Sequence, residues 1–216
     1  MIQFWSKSKE SNLTWLFISH SPFCEVTKYF ILVKGLSLTN VYRIKSILQP
    51  LSNQIRLSML RSQNFVVFCH ANSESTLAHY YETGDRTTKI LIEDSWWNIF
   101  STGKNILYFH VCNGARVIRE SVELKKHFQH VISYEKRAIS IVTNSRELKR
   151  VSEKFFKLFE KNFLNETSVN NTFNLIHGYY EDMLYEADNC MSNESESYSL
   201  LCILANDSLR NLTIVY

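Results

Sequence analysis

Two short runs of this 216-residue sequence end in residue types that do chemistry in pairs. Phe65-Val-Val-Phe-Cys69 leads into His70-Ala71-Asn72, and Asn105-Ile-Leu-Tyr-Phe-His110-Val111 leads into Cys112-Asn113-Gly114-Ala115. A thiol becomes a nucleophile when its pKa is lowered or when a base stands beside it. Cys112 has access to both. It precedes a predicted helix by two or three residues, where the positive end of the helix dipole favours thiolate. An imidazole at the end of a neighbouring strand would serve as base, and later as acid to a leaving amine. Gly114 suits a tight strand-to-helix turn whose backbone N–H groups can face a developing oxyanion.

Positioning such a pair is the work of the elements around it. Short apolar runs alternate with longer amphipathic segments, which predicts an α/β fold with a mainly parallel sheet. The runs ending at Cys69 and Val111 are apolar nearly throughout, as central strands covered on both faces are. Thr14-Trp-Leu-Phe-Ile-Ser and Tyr29-Phe-Ile-Leu-Val are further strand candidates, and Val131-Ile-Ser and Cys202-Ile-Leu-Ala are shorter, later ones. Helical spacing predicts helices over 40–59 (interrupted at Pro50), 115–128, 146–163 and 173–184. The run from Thr87 to Asp94 alternates as a hairpin arm or edge strand does, and 189–199 reads as a surface loop. In an open parallel sheet, reactive groups gather at the carboxyl ends of the strands. His70 and Cys112 would emerge there side by side if their strands are neighbours.

Composition narrows the function classes. The 24 basic and 21 acidic residues leave a net charge of +3, too balanced for an electrostatic nucleic-acid binder. With 45% hydrophobic residues the chain can bury a core, and only 5 Gly and 2 Pro exclude collagen-like and low-complexity readings. Five cysteines, an odd count, do not describe a dense disulfide framework. The sequence reads without a signal peptide or an apolar run of about 18 residues, which predicts a cytoplasmic protein with reduced thiols and no membrane partner. The Asn-x-Ser/Thr triplets at Asn165 and Asn211 then carry no glycosylation argument. No linker divides the chain, so residues 1–216 are expected to form one domain.

The order of these residues resembles the caspase-like cysteine peptidases of clan CD, and within them most the CHAT (caspase–HetF-associated) domain group. That group has a hydrophobic strand ending in His-Gly, a short hairpin, a helix, and a strand ending in Ser-Ala-Cys-Asn-Ser. Here Val66-Val-Phe-Cys-His70-Ala71 is followed by Lys89-Ile-Leu-Ile-Glu-Asp, by Ser95-Trp-Trp-Asn-Ile-Phe, and by Tyr108-Phe-His-Val-Cys112-Asn113-Gly114-Ala115. The His-to-Cys separation of 42 residues is near the about 50 of caspases. Phe155-Phe156 could correspond to a recurrent aromatic pair of the family, and Leu201-Cys-Ile-Leu-Ala-Asn-Asp to its late strand. The resemblance covers about residues 60–216, and residues 1–60 match poorly.

The resemblance implies a caspase-like, mainly parallel sheet flanked by helices on both faces, and a cysteine endopeptidase. Its implied catalytic residues are His70, as general base and acid, and Cys112, as nucleophile. The oxyanion hole falls to the backbone N–H groups of Ala71 and Cys112, and the P1 side-chain pocket to His110, two residues before the thiol. A protein substrate, a regulatory partner that supplies the trigger, and a role in prokaryotic defence or programmed death belong to the same implication, with no cofactor. Two positions depart from the family pattern. Ala71 replaces a Gly, and His110 stands where Asp accompanies a basic P1 residue and Gln the caspase preference.

Other readings compete. The same fold with an inert Cys112 would be a non-catalytic scaffold, as most free cysteines are buried and structural. Cys69, His70, His110 and Cys112 are also zinc-ligand types. However, a regular strand turns Cys69, expected in the core, away from the face of His70, and no metal is expected. Leu16-Phe-Ile-Ser-His-Ser21 resembles the first strand of TIR domains, but Pro22-Phe23-Cys24 follows where those domains place an acidic residue. His79, His127, His130 and His177 read as surface or helix-end residues. Trp96-Trp97 reads as helix packing, and Lys125-Lys126 and Lys149-Arg150 as solvated faces.

Overall fold

The computed structural model describes residues 12–18, 40–44, 47–71, 77–83, 86–138, 168–190 and 196–216. Their order begins with β1 (Leu13–Ile18), β2 (Asn40–Arg43), α1 (Asn53–Arg61) and β3 (Asn64–Ala71). A hairpin of β4 (Leu77–Thr83) and β5 (Arg86–Leu91) and a 3-10 helix (Asp94–Ile99) lead to β6 (Lys104–His110). Then come α2 (Gly114–Glu120), α3 (Val122–His127), β7 (Phe128–Tyr134), α4 (Val169–Cys190), α5 (Glu196–Asn211) and β8 (Leu212–Ile214). The strands lie side by side as β2-β1-β3-β6-β7-β8, with the first five parallel and β8 antiparallel to β7. The fold is therefore α/β with a mainly parallel sheet, as the alternating pattern predicts. Residues 1–60, poorly matched by the resemblance, contribute β1 and β2 to that sheet.

Side-chain alternation along the strands builds two cores. On one face Trp15, Val66, Tyr108 and Tyr134 pack with Ile176 and Tyr180 of α4 and Ala205 of α5. On the other, Phe65, Val67, Leu107 and Phe109 pack with Met59 of α1, Trp97 and Phe100 by the 3-10 helix, Ile118 of α2 and Leu124 of α3. Helices cover both faces. Trp97 stacks on Phe100 and meets Phe109 edge-on, so Trp97 anchors the 3-10 helix to β6.

The amino ends of the central strands are closed by polar contacts. Lys104, only 2% exposed, donates from Nζ to the carbonyls of Leu60 (3.1 Å) and Ser62 (2.7 Å), capping the end of α1. Burial lowers its pKa from the usual lysine value. Thr14 and Ser62 share a buried hydroxyl bond of 2.7 Å, and Asn105 donates to Asn64.

Several elements differ from the sequence reading. The helix expected over 40–59 is a strand, β2, then turns, then the shorter α1. Parallel pairing with β1, Thr14 to Asn40 through Phe17 to Arg43, takes residues 40–43 into the sheet, and Ser52 starts α1 by accepting from the Ile55 N–H. The helix expected over 115–128 breaks at Ser121. Its hydroxyl accepts from the Leu124 N–H at 3.0 Å, while Asp94 accepts from Val122 and Glu123, so a second helix starts there. Phe128 is already in β7. The strand expected at Cys202-Ile-Leu-Ala lies within α5, where Ala205 and Ser208 are buried and Ile203 is 61% exposed. The last strand is β8 instead. The loop read over 189–199 begins inside α4 and ends inside α5. His127 is a helix-end residue, the last of α3, and is buried there. The segments 29–33 and 146–163, the pairs Phe155-Phe156 and Lys149-Arg150, and Ser19 to Cys24 lie outside the described residues.

Helix α2 sits against β7 so closely that only glycine fits at its start. A Cβ on Gly114 would lie 2.1 Å from Ser133 Oγ and 3.4 Å from Ser133 Cβ, and that hydroxyl is fixed by donating to the Phe109 carbonyl at 2.7 Å. Gly114→Ala is expected to destabilise the protein by about 1–3 kcal/mol, as overpacking does. Adding Ser133→Ala, which removes the clashing oxygen, is expected to recover part of that loss. A double-mutant cycle by urea unfolding measures the coupling.

Candidate active site at the carboxyl edge of the sheet

The register of β3 and β6 decides what meets at this edge. The two strands are parallel neighbours, with Asn64 paired to Ile106 and Phe68 to His110. His70 is two residues beyond that pair on β3, and Cys112 two residues beyond it on the other chain segment. The backbone of His70 pairs with Ala78 and that of Ala71 with Leu77, where β4 folds back. The imidazole of His70 lies outside the described side chains. The sheet thus delivers the two backbone positions to one edge, as parallel neighbours must.

Cys112 leaves β6 in a turn. Val111 accepts from the Gly114 N–H at 3.1 Å, and the Asn113 carbonyl caps α2 by accepting from Arg116 and Val117. Asn113 adopts φ 55°, in the left-handed region. The sequence reading gave the tight turn to Gly114, but the left-handed residue is Asn113, a type that tolerates this region. Gly114 is required by the approach of Ser133. The Cys112 thiol is half-buried, free of any disulfide, and donates to the Ala138 carbonyl across 3.6 Å. Cys69 and Cys202 are also half-buried and in no disulfide, and Cys69 packs with the second core, as expected.

His110, the residue assigned by resemblance to the P1 pocket, is 6% exposed. Its ring lies 4.8 Å from Phe68 and 5.4 Å from Tyr134, centroid to centroid. Its Nδ1 bonds the Tyr108 hydroxyl at 2.9 Å. That hydroxyl bonds Tyr134 at 2.6 Å, which bonds Tyr180 of α4. Four aromatic groups thus form one hydrogen-bonded chain through the first core, from the end of β6 to α4. Buried polar groups must pair in this way, because each unmet one costs about 1–3 kcal/mol. Burial raises the pKa of all three tyrosines, those of Tyr108 and Tyr134 well above the usual phenol value.

The sequence reading missed this chain. Its signal was the placement of Tyr108 two residues before His110 on one strand face, and of Tyr134 directly after Val131-Ile-Ser. No group of three His, Cys, Asp or Glu side chains that could hold a metal occurs among the described residues. No helix among them is long and apolar enough to cross a membrane. Comparison with protein-family models, curated proteins and solved structures returns no match.

Two measurements follow from this geometry. Asn113→Val is expected to destabilise by about 1–2 kcal/mol, because a β-branched residue is strained at positive φ, while Asn113→Gly stays near wild type; thermal unfolding compares them. The tyrosine chain sets an alkaline limit. Unfolded tyrosines ionise near pH 10, whereas burial holds the folded pKa of Tyr108 and Tyr134 well above the usual phenol value and raises that of Tyr180. Above pH 10 the native state therefore binds more protons, and stability falls with pH, by about 1.4 kcal/mol per pH unit for each such tyrosine. Titration followed at 295 nm should show Tyr108 and Tyr134 ionising later than exposed tyrosines, and Tyr134→Phe should reduce the slope of stability against pH.

Proposed function

We propose that the protein is a cysteine endopeptidase in which His70 and Cys112 form the catalytic dyad. One observation carries the reading. The parallel register of β3 and β6 brings the positions of a histidine and a half-buried cysteine to one carboxyl edge, where open parallel sheets hold their reactive groups. The resemblance to the caspase-like CHAT group supports the same assignment.

In this reaction the His70 imidazole takes the Cys112 proton, and Sγ attacks the carbonyl carbon of the scissile peptide bond. The oxygen becomes an oxyanion that the N–H groups of Ala71 and Cys112 would stabilise. Collapse breaks the C–N bond, and His70 returns its proton to the departing amine, leaving a thioester. Water, deprotonated by His70, attacks that thioester and releases the acid and the free thiol. His110 would border the P1 pocket. The substrate is a protein, a regulatory partner would supply the trigger, and prokaryotic defence or programmed death in the cytoplasm is the setting that the resemblance implies.

The rival reading is a non-catalytic scaffold of the same fold. The thiol-to-carbonyl bond from Cys112 to Ala138 favours it, since an inert buried thiol makes such contacts too. Wild type, Cys112→Ala and His70→Ala decide between them when each is expressed with its neighbouring gene products. Cleavage and toxicity are expected in wild type alone, with all three proteins folded by circular dichroism. A peptidyl acyloxymethyl ketone should label Cys112 only when His70 is intact. If both variants behave as wild type, Cys112 is structural and the protein is a binding partner.

A further inference from the structure

The balanced net charge of the chain conceals a separation of charge along the sequence. Residues 26–73 contain six Lys and Arg and no Asp or Glu, whereas residues 162–209 contain eight Asp and Glu and no Lys or Arg. Each stretch carries a helix with an exposed face, α1 in the first and α4 in the second.

On α1, Ser58 and Met59 are buried, and Asn53, Arg56, Leu57, Leu60 and Arg61 share one exposed face at helical spacing. Leu57 and Leu60 are 52% and 61% exposed. On α4, Ile176, Tyr179 and Tyr180 are buried, and Glu181, Asp182, Tyr185, Asp188 and Asn189 share the exposed face of the turns that follow. Tyr185 is 69% exposed, and Glu181 lies 3.5 Å from the His177 imidazole one turn earlier. The α1 face thus sets leucines between arginines, and the α4 face sets an aromatic ring among carboxylates. An apolar centre with a charged rim, met by the opposite charge, is how protein interfaces are built.

Within one chain these two faces cannot meet. Met59 of α1 packs on the sheet face that holds Phe65 and Val67, and Tyr180 of α4 on the face that holds Val66 and Tyr108. The sheet lies between the helices, and their exposed faces turn away from it on opposite sides.

We propose that the basic face of α1 docks on the acidic face of α4 in a second copy of the chain. A second copy is the occupant because this chain supplies both complementary halves. The contact joins two different surfaces, so a docked pair still presents one free α1 face and one free α4 face. Head-to-tail pairing of this kind continues into a filament or a closed ring and does not stop at a symmetric dimer. It does not rest on the peptidase reading.

Sedimentation velocity of the full chain across a concentration series, at low and at high salt, tests this. Wild type is expected to pass beyond the dimer as concentration rises at low salt. At high salt, which screens exposed charges, it is expected to return toward monomer. Leu57→Gln with Leu60→Gln removes the apolar centre of the α1 face, and Asp182→Gln with Tyr185→Gln disables the α4 face. All four positions are exposed, so both variants are expected to keep the wild-type circular dichroism spectrum. Each alone is expected to lose every species heavier than the monomer. Their equimolar mixture is expected to form a one-to-one dimer and nothing larger, because one intact face of each kind remains. A wild type that stays monomeric at low salt would overturn the proposal, whether or not it sediments with phosphatidylserine vesicles. So would a dimer that persists in either variant alone, since one kind of face would then be pairing with itself. A mixture that stays monomeric would overturn it as well.

Discussion

Strands β3 and β6 are covered on both faces, and everything at the carboxyl edge depends on that burial. With no water available, their backbone N–H and C=O groups have to be met within the sheet, by β1 and β6 around β3 and by β3 and β7 around β6. Their side chains alternate between two separate cores, Val66 and Tyr108 in one, Phe65, Val67, Leu107 and Phe109 in the other. A slip of one residue would exchange every side chain between those cores. The register from Asn64–Ile106 to Phe68–His110 is therefore strongly specified, and with it the level at which each strand releases its loop.

The turn that carries Cys112 inherits its shape from the same sheet. Helix α2 can start where it does because Gly114 lets Ser133 of β7 come close, and Asn113 bends the chain through the left-handed region. Behind the turn, the chain from His110 through Tyr108 and Tyr134 to Tyr180 ties the ends of β6 and β7 to α4. A reactive group on such a support has little freedom to wander, which is the condition precise chemistry requires. The proposed dyad acts through the position of one sulfur atom.

Local pattern was most informative where both faces of an element are buried, or where one face is buried over many residues. The apolar runs of β3 and β6, the run of β1, the alternating arm of β5 and the amphipathic stretch of α4 were all legible. Pattern failed where a neighbour overrode propensity. Residues 40–43 carry apolar spacing compatible with a helix, yet β1 offers them a parallel partner. The apolar run at Cys202 has strand character in isolation. It becomes helix because α5 packs against α4 with Ala205 inward and Ile203 outward. Ser121 was invisible as a break, because half of its cap comes from Asp94, 27 residues earlier.

The class of fold and the residue types that reach its carboxyl edge are legible in local pattern alone. Strand and helix periodicities are local properties, and so is the arrival of His70 and Cys112 at the ends of apolar runs. That those runs are adjacent and parallel, that glycine at 114 answers to a serine on β7, and that His110 belongs to a chain of buried tyrosines emerges from the folded arrangement. It alone set the Ala138 carbonyl against the Cys112 thiol, 26 residues away in sequence. Such contacts join residues through the folded sheet, and no periodicity within either segment encodes the partner it will meet.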